Sequence, residues 1–407
     1  MFFSFVVAVA ALQLWLSQRH IHHVLANRDA VPIRFAARIN LDEHHKAADY
    51  TLDKSRLTQL HTVVEAALLL TFTLGGLLDA CAHWLHGFFN TGSYHFGLSL
   101  FAAFAVIGFI VDLPFSLYRT FFVDARYGFN KMTPKLYFTD LIKQALLAVL
   151  IGAPLLMAVL WLMTQMGERW WLWVWLFWLG FNLLVMVAYP TIIAPLFNKF
   201  TPLADDNLRA RIDALLARCG FRSSGVFVMD GSKRSTQGNA YFTGFGAAKR
   251  IVFFDTLIER LQPSEIEAVL AHELGHFKRH HLWKSIAAMA VMSLGFLWLL
   301  GELMQQPLFF TILGVSTADT AMALILFSLT LPVVLFPLSP LLSAFSRKHE
   351  FEADAFAAEQ TKASELVTAL VKLYRDNAAT LTPDPLHSLF NDSHPPASVR
   401  IARLDSL

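Results

Sequence analysis

Seven apolar runs divide this 407-residue chain, at about 1–17, 62–84, 97–118, 144–166, 170–190, 284–304 and 320–343. Each is close to the 17–25 residues that a helix needs to cross the hydrocarbon of a bilayer. Lipid offers no hydrogen-bond partners, so runs of this length have to fold as helices that satisfy their own backbone. Composition agrees: 55% of residues are hydrophobic and only 16% charged, against about 25% charged in soluble domains. The expected class is therefore mainly α and integral to a membrane. Met1 to Leu16 has no basic stretch before it, and Arg19 and Arg28 follow it. It is read as a retained first span rather than a cleaved signal. The fifth run is rich in tryptophan (Trp170, Trp171, Trp173, Trp175, Trp178), which suits an interfacial end.

Glu65, Asp79 and Asp112 fall in or near these runs. Carboxylates are costly in lipid and usually face a bundle interior or water. Asp79, near a span end, is read as solvated, whereas Glu65 and Asp112 are candidates for a polar interior. Lys and Arg crowd the loops 18–61 and 119–143, while the loops 85–96 and 305–319 carry none. The positive-inside rule then puts the N-terminus outside and the segments 191–283 and 344–407 on the cytoplasmic side. A net charge of +2 gives no case for nucleic acid as a partner. Cys81 and Cys219 are too few and too differently placed for a disulfide framework or a Cys-rich metal site. The histidines of the first inner loop, His20, His22, His23, His44 and His45, are read as interfacial or solvated.

The organisation that follows is an N-terminal membrane region at 1–196, a catalytic insert at 197–283, two further spans at 284–343 and a C-terminal catalytic segment at 344–407. Within the insert, Asp205–Cys219 has helical apolar spacing. Gly225–Asp230 and Arg250–Asp255 look like strands, and the glycine-broken run from Gly238 through Gly244 to Gly246 reads as a further strand. Pro263-Ser264-Glu265 looks like a helix start, with the helix continuing over Glu265–His281.

That helix carries His272-Glu273-Leu274-Gly275-His276. Two imidazoles four residues apart share a helix face and can reach one divalent metal, and the adjacent glutamate can act as general base. A third protein ligand is needed at a catalytic zinc. The richest region for one is His349-Glu350-Phe351-Glu352-Ala353-Asp354. Glu350 and Asp354 share a helix face, while Glu352 points about 200° away from Glu350. One reading is a metal ligand, Glu350, with Asp354 supporting a ligand histidine; the other is a solvated acidic face. His280 and His281 are read as surface or structural.

Several motifs occur together and in order. They are Asp230-Gly231-Ser232-Lys233-Arg234, Asn239-Ala240-Tyr241-Phe242, the run Arg250 to Leu257, the His272–His276 motif, Ser346-Arg347 with Glu350 to Asp354, Ser393-His394-Pro395 with Arg400, and Tyr127 to Thr133. With them the chain resembles the type 1 CaaX prenyl protease family, integral-membrane zinc metallopeptidases of the gluzincin type. The resemblance covers nearly the whole chain. It implies a seven-helix transmembrane barrel around a water-filled chamber, with a zincin-like catalytic domain carrying a small β-sheet. It implies one zinc per chain on His272, His276 and Glu350, with Glu273 as base and His394 stabilising the transition state. Asp354 and Arg400 would support the ligands. One departure is Glu352, where the family commonly has glutamine.

The expected activity is a membrane zinc metalloendopeptidase acting near the C-terminus of CaaX-type, prenylated proteins or peptides. Its partners are then a peptide or protein substrate, lipidated in that case, and the lipid bilayer. Asn239, Ala240 and Tyr241 would contact substrate along an edge strand, the other reading being an ordinary core strand ending at Gly244. Two alternatives remain open: a broader membrane-protein quality-control protease with no prenyl requirement, and a non-enzymatic metal-bound scaffold or channel. The intact Glu273 argues against the last, since a structural metal site needs no base.

Overall fold

The computed structural model describes residues 1–221, 223–243 and 250–407. The expected strand positions Gly244 and Gly246 lie outside the described residues. The chain begins with α1 (Phe2–Ala26), α2 (Leu41–Phe72), α3 (Leu77–His86) and α4 (Tyr94–Tyr118). It continues with α5 (Pro134–Leu147), α6 (Ala153–Gln165) and α7 (Trp170–Ala188). Among the described residues six helices are long and apolar enough to cross a membrane, and the bent pair α2–α3 makes a seventh. Large apolar side chains such as Val106, Ile110, Leu150, Leu184 and Val291 stand exposed on these helices, as a surface facing lipid requires. Helix α1 packs on α2, α4 packs on α3 and α6, and α6 packs on α7.

Two spans differ from the sequence expectation. The run 62–84 is not one straight helix: it breaks between α2 and α3 with a 48° bend. The Thr73 hydroxyl donates to the Leu69 carbonyl at 2.7 Å, and Gly76 takes φ +73°, a conformation that costs glycine little. The fourth span starts earlier than expected, its helical path running over Pro134–Gln165, because Thr133 caps α5 and Pro134 sits in its first turn. Asp79 is not simply solvated. It accepts hydrogen bonds from the Ser316 amide and hydroxyl, both at 2.8 Å, and so ties α3 to a distant loop.

The insert opens with β1 (Phe200–Pro202), a strand not expected from sequence. There follow α8 (Asp206–Arg218), β2 (Val226–Met229), β3 (Ala240–Thr243), β4 (Arg250–Phe254), the single turn α9 (Asp255–Ile258) and α10 (Pro263–Lys278). The sheet order is β1-β2-β4-β3, so β3 is an edge strand. It pairs antiparallel to β4, with Ala240 opposite Phe253 and Phe242 opposite Ile251. Leu208, Ile212 and Leu215 of α8, Ile251 and Phe253 of β4, and Ile266, Leu270 and Leu274 of α10 form one buried core.

The expected helix over Glu265–His281 is in fact two helices. It stops at Arg279, and His280 adopts φ 58°, a left-handed corner from which α11 (His281–Leu303) starts. Next come α12 (Pro307–Ile312), α13 (Thr320–Leu335), α14 (Ser339–Gln360), α15 (Ala363–Asp376), α16 (Pro385–Asn391) and α17 (Ala397–Leu404). A short turn over Phe336–Leu338 joins α13 to α14, so the last span and α14 form one helical path over Thr320–Gln360. Helix α11 packs on α7 and α13 on α4.

The loops 18–61 and 119–143 are stitched to the insert and the C-terminal segment. Arg19 of α1 grips the buried Asp384 with Nε 3.1 and 3.0 Å from its two carboxylate oxygens. Arg234 reaches Asp140 at 2.8 Å and the Phe197 carbonyl at 2.7 Å. His20 and His44 are buried rather than solvated. The His20 ring stacks on His387 at 4.2 Å, and His44 Nε2 meets the Asn27 carbonyl at 2.9 Å. Between the helices lie cavities of about 710, 400 and 330 Å³. Glu65 and Asp112 both line the smallest of these, among mostly apolar neighbours such as Val6, Val9, Leu69 and Phe72.

Candidate metal centre

Two helices bring the site together. Helix α10 starts at Pro263, and the Gln262 amide donates to the Glu265 carboxylate at 2.7 Å as part of a capping box. Its apolar face is buried in the insert core, which turns His272 and His276 towards α14. The two axes approach closely because of Gly275. A Cβ there would lie 2.9 Å from the Ala353 Cα and 3.1 Å from the Ala353 carbonyl oxygen. The glycine of the motif therefore sets the helix spacing across which Glu350 can meet both imidazoles.

His272 Nε2 and His276 Nε2 are 3.2 Å apart. Glu350 Oε2 lies 3.5 Å from the first and Glu350 Oε1 3.4 Å from the second. The three side chains present one ligand atom each, all within 4.8 Å of one another. Glu350 is buried, and its Oε2 has no hydrogen-bond partner. A buried polar atom left unpaired calls for an explanation. Two imidazole nitrogens and a carboxylate oxygen converging on one point fit a divalent cation. Burial, aided by the neighbouring His272, pulls the His276 imidazole down to about 4, so at neutral pH it is neutral and offers a lone pair. For His272, burial lowers the value but the carboxylates of Asp354 and Glu350 outweigh it, bringing the imidazole to about 8. A cation bound there would displace that proton.

The candidate ligand set is braced from behind. His272 Nδ1 stands 2.8 Å from Asp354 Oδ1. Arg400 of α17 holds Asp354 in a two-pronged grip, Nη2 at 2.6 Å and Nε at 2.9 Å. Its third nitrogen is 3.7 Å from Glu350. Both Asp354 and Arg400 are buried. The acidic run of α14 is thus not a uniform solvated face: Glu350 and Asp354 point inward and Glu352 is about one third exposed.

Glu273 shares a cavity of about 700 Å³ with the three candidate ligands and His394. Burial pushes its carboxyl up, with His272 opposing and Glu350 adding to the push. His394 Nε2 sits 3.4 Å from Glu350 Oε1 and its side chain is well exposed. Its Nδ1 is 3.0 Å from the Ser393 hydroxyl. A hydroxyl donating to Nδ1 leaves the ring proton on Nε2, the nitrogen that faces the site. Arg347 donates to the Asp392 carbonyl at 3.0 Å and so anchors this loop.

Asn239 and Ala240 line the same cavity, and Tyr241 does not. The Tyr241 ring lies instead against the sheet, 6.3 Å from the Phe254 ring. The Phe254 amide donates to the Asn239 carbonyl at 2.9 Å. In the antiparallel alternation, this leaves the backbone groups of Ala240 and Phe242 on the outer edge, where the Ala240 amide donates to Asn239 Oδ1 at 2.8 Å.

Spacing alone leaves His281 outside this site, yet it is buried with Nδ1 3.0 Å from His276 Nδ1. Its position five residues past His276 is a weak signal, because a straight helix would carry it off the ligand face. The corner at His280 brings it back.

Comparison with known proteins agrees with this architecture. Residues 20–199 match the CAAX prenyl protease N-terminal family, described as five membrane helices, and residues 202–407 match peptidase family M48. A CAAX prenyl protease 1 homolog of Arabidopsis thaliana is 37% identical, over 90% of this chain and 88% of its own length. CAAX prenyl protease 1 of Saccharomyces cerevisiae is 33% identical over 90% and 86%. The Homo sapiens homolog is 31% identical over 100% and 94%. The crystal structure of S. mikatae Ste24p superposes with a TM-score of 0.92 at 29% identity, covering 100% of this chain and 98% of that one. Matched along nearly its whole length by sequence and by fold, the chain belongs to peptidase family M48 and is an integral-membrane metallopeptidase.

Proposed function

We propose that this chain is a zinc endopeptidase that cleaves near the C-terminus of CaaX-type proteins, prenylated on the cysteine. The observation that carries the reading is the buried Glu350 carboxylate facing two imidazoles, one of its oxygens unpaired, with Glu273 and a strand edge around one cavity. His272, His276 and Glu350 would hold the ion, and an N,N,O donor set with an open fourth position suits zinc. The chemistry a bound zinc supplies is polarisation of the substrate carbonyl and a lowered pKa for water.

The remaining steps belong to the chain. An extended peptide pairs with the backbone of Ala240 and Phe242 at the edge of β3. Glu273 accepts a proton from the attacking water and passes it to the leaving amine nitrogen; its raised carboxyl suits both tasks. His394 donates from Nε2 to the oxygen of the tetrahedral species. Asp354 and Arg400 keep the His272 ring in its ligating orientation.

The site and the C-terminus are assigned to the cytoplasmic side, with the N-terminus outside. The basic loops support this, as do the Arg19–Asp384 and Arg234–Asp140 pairs that join those loops to the catalytic segments. Protection of a C-terminal tag from external protease in sealed vesicles is the expected result, and digestion without detergent reverses the assignment.

The substrate reading is tested on purified protein with two peptides of one CaaX sequence, farnesylated and unmodified. The expected result is chelator-sensitive cleavage after the modified cysteine, at least tenfold faster than for the unmodified peptide. Equal rates would replace it with a broader membrane protease. Stoichiometric metal with no cleavage of any peptide would favour a scaffold.

A further inference from the structure

The two candidate ligand histidines are braced differently. His272 leans directly on a carboxylate, Asp354. His276 has no carboxylate on its far nitrogen; it meets a third histidine. His281 Nδ1 lies 3.0 Å from His276 Nδ1, and His281 Nε2 lies 2.9 Å from Glu352 Oε2. The His281 ring is held by stacking on His349 at 4.0 Å, with 10° between the planes.

Only one arrangement of protons satisfies this chain. If His276 ligates through Nε2, its proton is on Nδ1 and must be donated. The acceptor is then the bare Nδ1 of His281, whose own proton sits on Nε2. That proton points at Glu352, a carboxylate that can only accept. Exchanging the tautomer of His281 would set two N–H groups against each other at 3.0 Å. We infer that His281 and Glu352 are positioning residues that lock His276 in its metal-ligating tautomer through a carboxylate–histidine–histidine relay. The inference rests on the metal reading of the site but not on the substrate.

The relay needs an acceptor at position 352, not a negative charge as such, and this makes it separable from bulk electrostatics. Glu352 is about one third exposed, so its replacement leaves packing largely intact. The test uses full-length protein in detergent and reads zinc affinity by chelator competition, together with the visible spectrum of the cobalt-substituted form. Glu352→Ala and His281→Ala are expected to weaken zinc by about 10- to 100-fold, the usual cost of losing such a partner, and to shift the cobalt bands. Glu352→Gln, whose amide oxygen still accepts, is expected to stay within about threefold of the parent with an unshifted spectrum. Parent-like zinc affinity in Glu352→Ala overturns the relay. So does a Glu352→Gln variant as impaired as Glu352→Ala, since charge and not tautomer would then be the cause. A parent protein that takes up no stoichiometric zinc fails the metal reading itself.

Discussion

Among the described residues, two groups of histidine and carboxylate place three donor atoms close together: His272, His276 and Glu350, and His61, Glu65 and Asp112. They differ in what stands behind the donors. In the first, one imidazole rests on Asp354 and the other on His281, and the glutamate is buried with an oxygen to spare. In the second, His61 Nε2 is already spent on Asp112 at 3.0 Å, Glu65 is 3.7 Å away, and both carboxylates are more than half exposed. Among the described residues no hydrogen bond fixes His61 Nδ1. Proximity of donors is common to both groups. Orientation, desolvation and an unspent lone pair belong to one.

Substitutions can break this comparison, and the largest effect is expected at Glu350. Glu350→Ala should release the metal and with it all activity, read by elemental analysis of purified protein. Retention of stoichiometric metal there would mean that the ligand set is elsewhere. Glu273→Gln should keep the metal while turnover falls by about 10²–10⁴-fold, the usual share of a general base; parent-like turnover sinks its role. Gly275→Ala should be milder. Its Cβ meets the Ala353 backbone at 2.9 Å, so α10 and α14 must separate, at a cost of about 1–3 kcal/mol. A lower melting temperature together with weaker zinc binding would show that helix spacing sets the site, and an unchanged pair of values would refute it. The smallest effect belongs to His61→Ala, expected to leave metal content and peptide turnover within about twofold, as for a group holding no ion. Loss of metal on that substitution would erase the contrast between the two groups.

Much of the first group is legible from local pattern. His272 and His276 repeat at the helical period, and Glu350 and Asp354 do the same on a second helix, so spacing alone places each pair on one face. The strand at Ala240 and the start of α10 follow in the same way from glycine breaks and from Pro263-Ser264-Glu265. What local pattern does not carry depends on contacts between distant segments. The three residues of β1 form a strand only because Phe200 pairs with Met229. The break at Thr73–Gly76 falls in a stretch that still passes as one span by length and composition. His20 and His44 look like loop histidines until the C-terminal segment and Asn27 cover them. The corner at His280, a non-glycine residue at positive φ, carries no sequence mark, and with it the partnership of His281 and Glu352 stays hidden. Chemistry borne on one helix shows in its spacing, whereas chemistry relayed between helices does not.

The union of the last span with α14 has a mechanical consequence. From the turn at Phe336–Leu338 to Glu350 the helix runs for roughly 20 Å at 1.5 Å per residue. This is a lever with its fulcrum near the end of a membrane span and a candidate ligand partway along it, since α14 runs on to Gln360. A rotation of about three degrees at the fulcrum displaces the carboxylate by about 1 Å, and an error of that size in a catalytic group can cost about a hundredfold in rate. The angular tolerance of the candidate centre is therefore shared between the span that carries α14 and the packing of α14 against α10.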